Sequence, residues 1–239
     1  MDAFSVIPTI NAMTGRVGMQ SQEFIDSLKG KFDRFQMNTN LRGNVVGLFR
    51  MSAINSLLSQ SEQLFTLFNQ AVNLLHDQAQ QNVERLGVKF EPVRNSEPFL
   101  ALVFAFVQGI KTDNEKIAQR FSDALRDRQF ERFLLDSRTQ NHFADSDLRD
   151  PRIFDALGRK ILASDLIYRK TRWMLLTYYN EVIVAQASMN DLSLVVDYTD
   201  SGHKSQGLVF TVAGGGPNYF GVKEALFHPR SNGVVMLNV

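Results

Sequence analysis

A heptad pattern of apolar residues between about Ile54 and Leu86 constrains the fold of this chain more than any other feature. The gaps between successive residues of this seam alternate between four and three, which is the spacing of a helix that packs along its length. The seam consists of Ile54, Leu58, Ser61, Phe65, Phe68, Val72, Leu75, Ala79, Asn82 and Leu86. The pattern predicts one long helix over about residues 52–88.

A second row, formed by Leu57, Leu64, Ala71 and Gln78, lies beside the seam for most of its length. The apolar face is therefore broad in the first half of the helix and narrow in the second. A broad face requires more than one neighbouring helix, as in a bundle, whereas a narrow seam suits a single partner helix. Because other segments are also amphipathic, we expect the seam to pack mainly within the chain, with an oligomerisation seam as the alternative.

Composition excludes several classes of protein. None of the 239 residues is cysteine, so disulfides, iron–sulfur clusters, thiolate zinc sites and a cysteine nucleophile are excluded. The formal net charge is +1, so no overall field attracts the chain to nucleic acid or to a membrane. The N-terminal residues do not resemble a signal peptide, and no apolar run reaches the roughly 18 residues of a membrane span. We therefore expect an intracellular (cytoplasmic) protein or part of an assembled particle.

Three regions are predicted. Residues 1–20 contain Pro8, Gly15 and Gly18 and show no clear period, so we expect an irregular arm that is flexible or bound to a partner. Residues 21–189 form a helical body whose first helix starts at Ser21. Residues 190–239 alternate β-like segments with turns. The predicted fold class is α+β, mostly α: a helical bundle around the heptad helix, with a small C-terminal antiparallel β region.

Within the helical body, residues 98–110 form the most hydrophobic run, which is too short to span a bilayer as a helix. We expect a fully buried core helix there, with a transient membrane contact or a buried strand as alternatives. A break is expected at residues 109–114. The pair Asp150–Pro151 is typical of a helix start, with aspartate as the N-cap and proline at the first helical position. It predicts one long helix, or two in line, that ends near Ala187.

No motif for a cofactor or a metal ion is found, and neither is predicted. The glycine-rich segment 213–221 follows a β-like run, but too little chain follows it for a dinucleotide-binding β-α-β unit, so we expect a turn. The best hydrolytic alternative consists of Asp197, Asp200 and His203, which are close in sequence. A polar loop is the expected structure for these three residues.

The stretch Arg159–Trp173 is the most basic of the chain. Arginine next to aromatic residues can bind phosphates and stack on bases, so a helical module that binds nucleic acid through this stretch is one hypothesis. Asp165 offsets part of the charge. We favour a helix surface that pairs with acidic residues elsewhere or with another subunit.

The absence of catalytic motifs, the absence of cysteine and the apolar chain ends favour a non-enzymatic structural or assembly subunit. A phage virion (tail, neck or injected protein) or a secretion machine is the expected setting, and the partners would be copies of the chain or other protein subunits. The last strand is suited to extending a neighbouring sheet. The predicted contact residues are Phe65, Phe68, Val72, Leu75, Arg169, Arg172, Trp173, Val235 and Leu237. An enzyme that uses Asp197, Asp200 and His203 is the main alternative.

Overall fold

The computed structural model describes residues 6–37, 44–134, 151–155, 157–198, 203–212, 217–226 and 233–239. These residues form five helices and a small antiparallel β region, which confirms the predicted fold class. In chain order the elements are α1 (Val6–Met37), α2 (Val45–Glu84), α3 (Glu97–Leu134), β1 (Arg152–Phe154), β2 (Lys160–Leu162), α4 (Ala163–Met189), β3 (Ser193–Tyr198), β4 (Val209–Phe210), α5 (Tyr219–Leu226) and β5 (Gly233–Asn238).

The chain divides into two compact units. Unit 1 comprises Met1–Arg16, Thr66–Phe106 and Arg169–Val239, and unit 2 comprises Val17–Phe65 and Val107–Tyr168. Each of α1, α2, α3 and α4 contributes a segment to both units. The heptad helix is present as α2, although it begins earlier than predicted and ends at Glu84.

The core of unit 2 is formed by segments of α1, α2 and α3. Phe32 of α1 packs edge-on against Phe121 of α3, with ring centroids 5.9 Å apart, and both side chains are buried. Lys31, one residue earlier, reaches α2, where its Nζ donates to the Ser52 carbonyl at 2.9 Å and to the Ser56 hydroxyl. Aromatic packing thus joins α1 to α3, and the hydrogen bonds of Lys31 join α1 to α2.

The core of unit 1 is centred on α4. Tyr178 packs edge-on against Phe99 of α3 with centroids 5.6 Å apart. The next tyrosine, Tyr179, accepts a 2.8 Å hydrogen bond on its hydroxyl oxygen from Nδ2 of Asn82 on α2. Asn82 is a polar residue of the heptad seam, and this buried bond supplies the partner that its side chain requires.

The C-terminal sheet has the strand order β4-β3-β5 and is antiparallel throughout, as predicted. Asn180 of α4 closes the outer edge of β5. Its Nδ2 donates to the Gly233 carbonyl at 3.2 Å, and its Oδ1 accepts from the Val235 amide at 3.0 Å. The carboxamide thus takes the place of a further strand, because it offers the same donor and acceptor pair as a peptide group.

The carboxamide of Gln186, also buried on α4, likewise donates to and accepts from the backbone of another segment. Its Nε2 donates to the Glu91 carbonyl at 2.7 Å, and its Oε1 accepts from the Glu91 amide at 2.9 Å. The extended segment between α2 and α3 is therefore held by a side chain where a β ladder would otherwise be needed.

The prediction of an irregular arm over residues 1–20 is wrong for the part described, because α1 begins at Val6. Pro8 lies in the first turn, where a missing backbone donor costs no intrahelical bond. Ile10, Met13 and Val17 are buried on one face and stabilise the helix by packing. Ser21, the predicted helix start, is therefore an interior residue of α1.

The predicted break at residues 109–114 is also wrong, because α3 is continuous through it. The Thr112 hydroxyl donates to the Gln108 carbonyl at 3.0 Å instead of capping a new helix. The run 98–110 is not fully buried either: Phe99, Phe106 and Ile110 face inward, whereas Leu100 and Phe104 are exposed. Among the described residues, no helix is both long enough and apolar enough to cross a membrane.

The helix start predicted at Asp150–Pro151 is wrong, because β1 and β2 form an antiparallel hairpin there (Asp150 itself lies outside the described residues) and the helix runs only from Ala163 to Met189. The Asp155 carboxylate accepts from the amides of Leu157 and Arg159 at 2.9 and 2.8 Å. These bonds, chiefly that from the Arg159 amide, lower the pKa of Asp155. Gly158 has a φ of 72°, which suits glycine. Local turn chemistry therefore prevails over the helical period.

Acid is expected to destabilise the protein through His76, whose ring is buried in unit 1. Its Nε2 accepts from the Val93 amide at 3.4 Å, and its ring packs against Phe90. Burial lowers the pKa of His76, Arg94 lowers it further, and Asp77 acts in the opposite direction. The unfolded chain, in which the pKa is about 6.5, then binds more protons, so stability is lost as the pH falls below about 6.5.

The measurement is urea unfolding of the wild type and His76→Gln between pH 7.5 and 5. The wild type should lose more free energy of unfolding per pH unit than the variant, by at most about 1.4 kcal/mol per unit for one proton. Equal pH slopes in the two proteins would contradict this assignment to His76.

Candidate functional site

The first half of α2 carries an exposed apolar face. We call Met51, Ile54, Leu58, Ser61 and Phe65 the α2 stripe; all five lie in unit 2. Its four apolar side chains are between 49% and 66% exposed, and the three-and-four spacing of the heptad places them in one row. The stripe is the exposed part of the predicted seam together with Met51, one step earlier in the same row.

The seam is exposed here because the neighbouring row faces the core of unit 2. Ala53, Gln60 and Leu64 are buried, and the Gln60 side chain donates to the Gln20 carbonyl at 3.4 Å. A helix packed on one side of a core buries only one of two adjacent rows completely. Of these three residues, only Leu64 belongs to the second apolar row of the sequence, so the apolar pattern indicated the inward face only in part.

The stripe is also poor in charge. No charged residue occurs between Met51 and Ser61, and Glu62 is the only one between Arg50 and Asp77. Depletion of charged residues is characteristic of the centre of a protein–protein interface. The Ser61 hydroxyl donates to the Leu57 carbonyl at 2.7 Å, so burial of this serine leaves its donor paired.

The other predicted contact residues of the heptad helix lie in unit 1. Phe68, Val72 and Leu75 are at most 5% exposed, whereas Phe65 is 49% exposed. The seam thus changes from exposed to buried between Phe65 and Phe68, where α2 passes from unit 2 to unit 1. Of these four residues, Phe65 alone exposes its side chain to solvent.

The basic stretch Arg159–Trp173 is not one helix, contrary to the prediction. Arg159 precedes β2 and forms a 2.7 Å ion pair with Asp155 in unit 2. Arg169, Arg172 and Trp173 lie on α4 in unit 1, where Nε of Arg172 donates to Oδ1 of Asn11 at 3.3 Å. The favoured pairing of this stretch with acidic residues elsewhere or with another subunit stays a prediction.

Two of the proposed hydrolytic residues are described: Asp197 lies on β3, and His203 lies in the connection to β4. The His203 ring stacks on Tyr198 with centroids 3.6 Å apart, and its Nδ1 accepts from the Ser205 amide at 3.2 Å. Asp197 accepts a hydrogen bond from the Gln206 side chain. Asp200 lies outside the described residues, as do residues 213–216 of the glycine-rich segment. These contacts give His203 and Asp197 roles in the turn.

Comparison with known proteins gives no family for the chain: it matches no protein-family model, no curated protein and no solved structure. Within the described residues, no group of three or more histidine, aspartate or glutamate side chains is arranged to hold a metal ion. Function is therefore inferred from the described surfaces.

The last strand offers less surface than its sequence suggested. Val235 and Leu237 are buried in unit 1, and the outer edge of β5 is bonded to Asn180 between Gly233 and Val235. Extension of a neighbouring sheet by this strand stays a prediction that would first require Asn180 to move. The α2 stripe is the described surface best suited to a protein partner.

Proposed function

We propose that the protein is a structural or assembly subunit and that its α2 stripe packs against the same stripe of a second copy. The observation that supports this is the row of half-exposed apolar side chains at heptad spacing on one helix. Such a row is complementary to another row of the same spacing, because each side chain fits between four residues of the facing helix. A virion or a secretion machine stays the predicted setting.

Charge favours an identical partner. Two copies of one surface bring identical charges together, so a charged stripe would repel its own copy. Between Met51 and Ser61 no charged residue is present to do so. A two-fold pairing of the stripe buries the same patch on both chains and closes the assembly at that contact.

The stripe by itself stabilises such a pair only weakly. Complete burial of four half-exposed side chains contributes roughly 4 kcal/mol per chain, or 8 for the pair, from about 1.5–3 kcal/mol for each fully buried side chain. Association costs about 4–15 kcal/mol in lost translational and rotational freedom. At the smallest of these costs the net gain is about 4 kcal/mol, which corresponds to a dissociation constant of about 1 mM. We therefore expect partial pairing at about 500 μM, or full pairing in an assembly where further contacts hold the chains together.

The test is the mass of the full chain in solution, measured by sedimentation equilibrium up to about 500 μM at two salt concentrations. The wild type should self-associate, and added salt should not weaken the association, because apolar contacts are not screened. The double variant Ile54→Asp with Leu58→Asp should be monomeric, since pairing would bury four unpaired carboxylates.

Leu74→Asp is the matched control. Leu74 is 47% exposed on the same helix but lies outside the heptad row, so this variant should associate like the wild type. A wild type that is monomeric throughout the concentration range would contradict the proposal. So would equal loss of association in the control and in the stripe variant.

A further inference from the structure

An open cleft in unit 2 runs between one face of α3 and the hairpin β1–β2, with a volume of about 700 Å³. The α3 wall contains Lys116, Gln119 and Arg120, and the hairpin wall contains Arg152, Phe154 and Lys160. Nζ of Lys116 donates to the Phe154 carbonyl at 3.3 Å, which joins the two walls at one point. We call this feature the α3–hairpin cleft.

The hairpin presents cations and an aromatic ring on one exposed face. Phe154 and Lys160 are directly opposite in the antiparallel register, and Arg152 lies two residues before Phe154, so all three share one face of the ribbon. Phe154 is 60% exposed, although the alternate residue Ile153 is buried on the other face. An exposed aromatic ring between two cations requires an explanation, because burial of the ring in the core would stabilise the fold.

The cations of the cleft exceed its neutralising acids. Of the four cations that line it, Lys116 pairs with Asp113 at 3.4 Å. Two carboxylates, Glu115 and Asp123, also line the cleft, but Asp123 pairs with Arg126 at 3.5 Å. No carboxylate of a described residue forms an ion pair with Arg120, Arg152 or Lys160. The cleft is thus positive within a chain whose overall charge is close to zero.

We propose that the α3–hairpin cleft binds single-stranded nucleic acid, with phosphates along the cationic walls and a base stacked on Phe154. Arg152 and Lys160 lie diagonally across the ribbon, about 7–8 Å apart, and Lys116 and Arg120, at i and i+4 on the helix, are about 5–6 Å apart. Repeated charge on both walls suits an extended polyanion. The exposed aromatic ring favours a nucleic acid over an acidic peptide, because every base offers a face for stacking.

The test is fluorescence anisotropy of a labelled oligothymidylate of about 15 nucleotides with the full chain, at salt concentrations from about 20 to 200 mM. The variant Arg152→Ala with Lys160→Ala should bind at least about tenfold more weakly at low salt and lower the slope of log K against log salt by about 1.4, since each phosphate contact on a single strand contributes about 0.7. Phe154→Ala should weaken binding about 5- to 50-fold and leave that slope unchanged.

The matched control is Arg85→Ala with Lys204→Ala, which removes two exposed cations outside the cleft and should leave affinity nearly unchanged. Absence of binding by the wild type at 20 mM salt would overturn the proposal. Equal losses in the control and cleft variants would also overturn it, because binding would then be nonspecific. Tighter binding of labelled polyglutamate than of oligothymidylate, with the same dependence on the cleft variants, would assign the cleft to an acidic peptide instead.

Discussion

Replacing Phe68 with alanine is expected to lower the free energy of unfolding by about 3–5 kcal/mol. The Phe68 side chain is fully buried in the core of unit 1, so truncation removes its apolar contacts and leaves a cavity. The change is measured by chemical denaturation followed by the helical circular dichroism signal.

Phe65→Ala provides the matched comparison on the same helix. This phenylalanine is half-exposed, so the same truncation should cost less than about 1.5 kcal/mol at concentrations where the chain is monomeric. The pair of variants distinguishes the buried part of the heptad seam from its exposed part. Similar losses of stability at positions 65 and 68 would show that the seam does not change its environment between them.

Replacing Asn180 with leucine is expected to cost about 1–3 kcal/mol, because the buried Val235 amide is left without its acceptor. Leucine has a similar size, so the change removes hydrogen bonding with little change in packing. The Gly233 carbonyl would also lose its bond to Nδ2 of Asn180. The Val235 amide should also exchange with solvent faster, which hydrogen exchange measures residue by residue.

Asn190→Leu serves as the control for Asn180→Leu. The Asn190 side chain donates to the carbonyls of Lys89 and Gln186, but it is only half-buried, so water replaces those bonds. A loss below about 1 kcal/mol is expected for this variant. If both asparagine variants lost the same small amount, the role assigned to Asn180 would be wrong.

Helices and strands with an uninterrupted apolar period were predictable from the sequence. Those in which proline, glycine or a turn-forming side chain interrupts the period were not. The long α2 helix, the antiparallel C-terminal strands and the fold class follow from periodicity and turn residues. The start of α1 was missed because Pro8, Gly15 and Gly18 resemble loop residues, yet Ile10, Met13 and Val17 form a regular apolar face. Apolar packing outweighs the small cost of glycines in a helix.

The hairpin β1–β2 shows the opposite error. Ile153, Leu157 and Ile161 have helical spacing, but the Asp155 side chain and Gly158 close a turn between them. The signal for this turn was present as Asp155 followed three residues later by a glycine. A turn of this kind competes directly with the helix for the same backbone amides.

The position of the α2 stripe was predictable from the sequence, but its exposure was not. Heptad spacing identified the row on α2, because the spacing is a property of the sequence alone. Exposure depends on which of two adjacent apolar rows faces the core, and that depends on helices distant in sequence. The cleft between α3 and the hairpin was not predictable, since it joins residues near 120 with residues near 155 through an element that periodicity assigned to a helix.

The hydrogen bonds of Asn180 also bear on whether copies of the chain aggregate through β5. An unprotected edge strand is a template on which other chains add strands and form insoluble aggregates. The carboxamide of Asn180 occupies the donor and acceptor that such growth would use first, and α4 holds it there. A partly unfolded or proteolysed chain that loses α4 would expose this part of the β5 edge, so α4 protects the sheet at that edge from the addition of further strands.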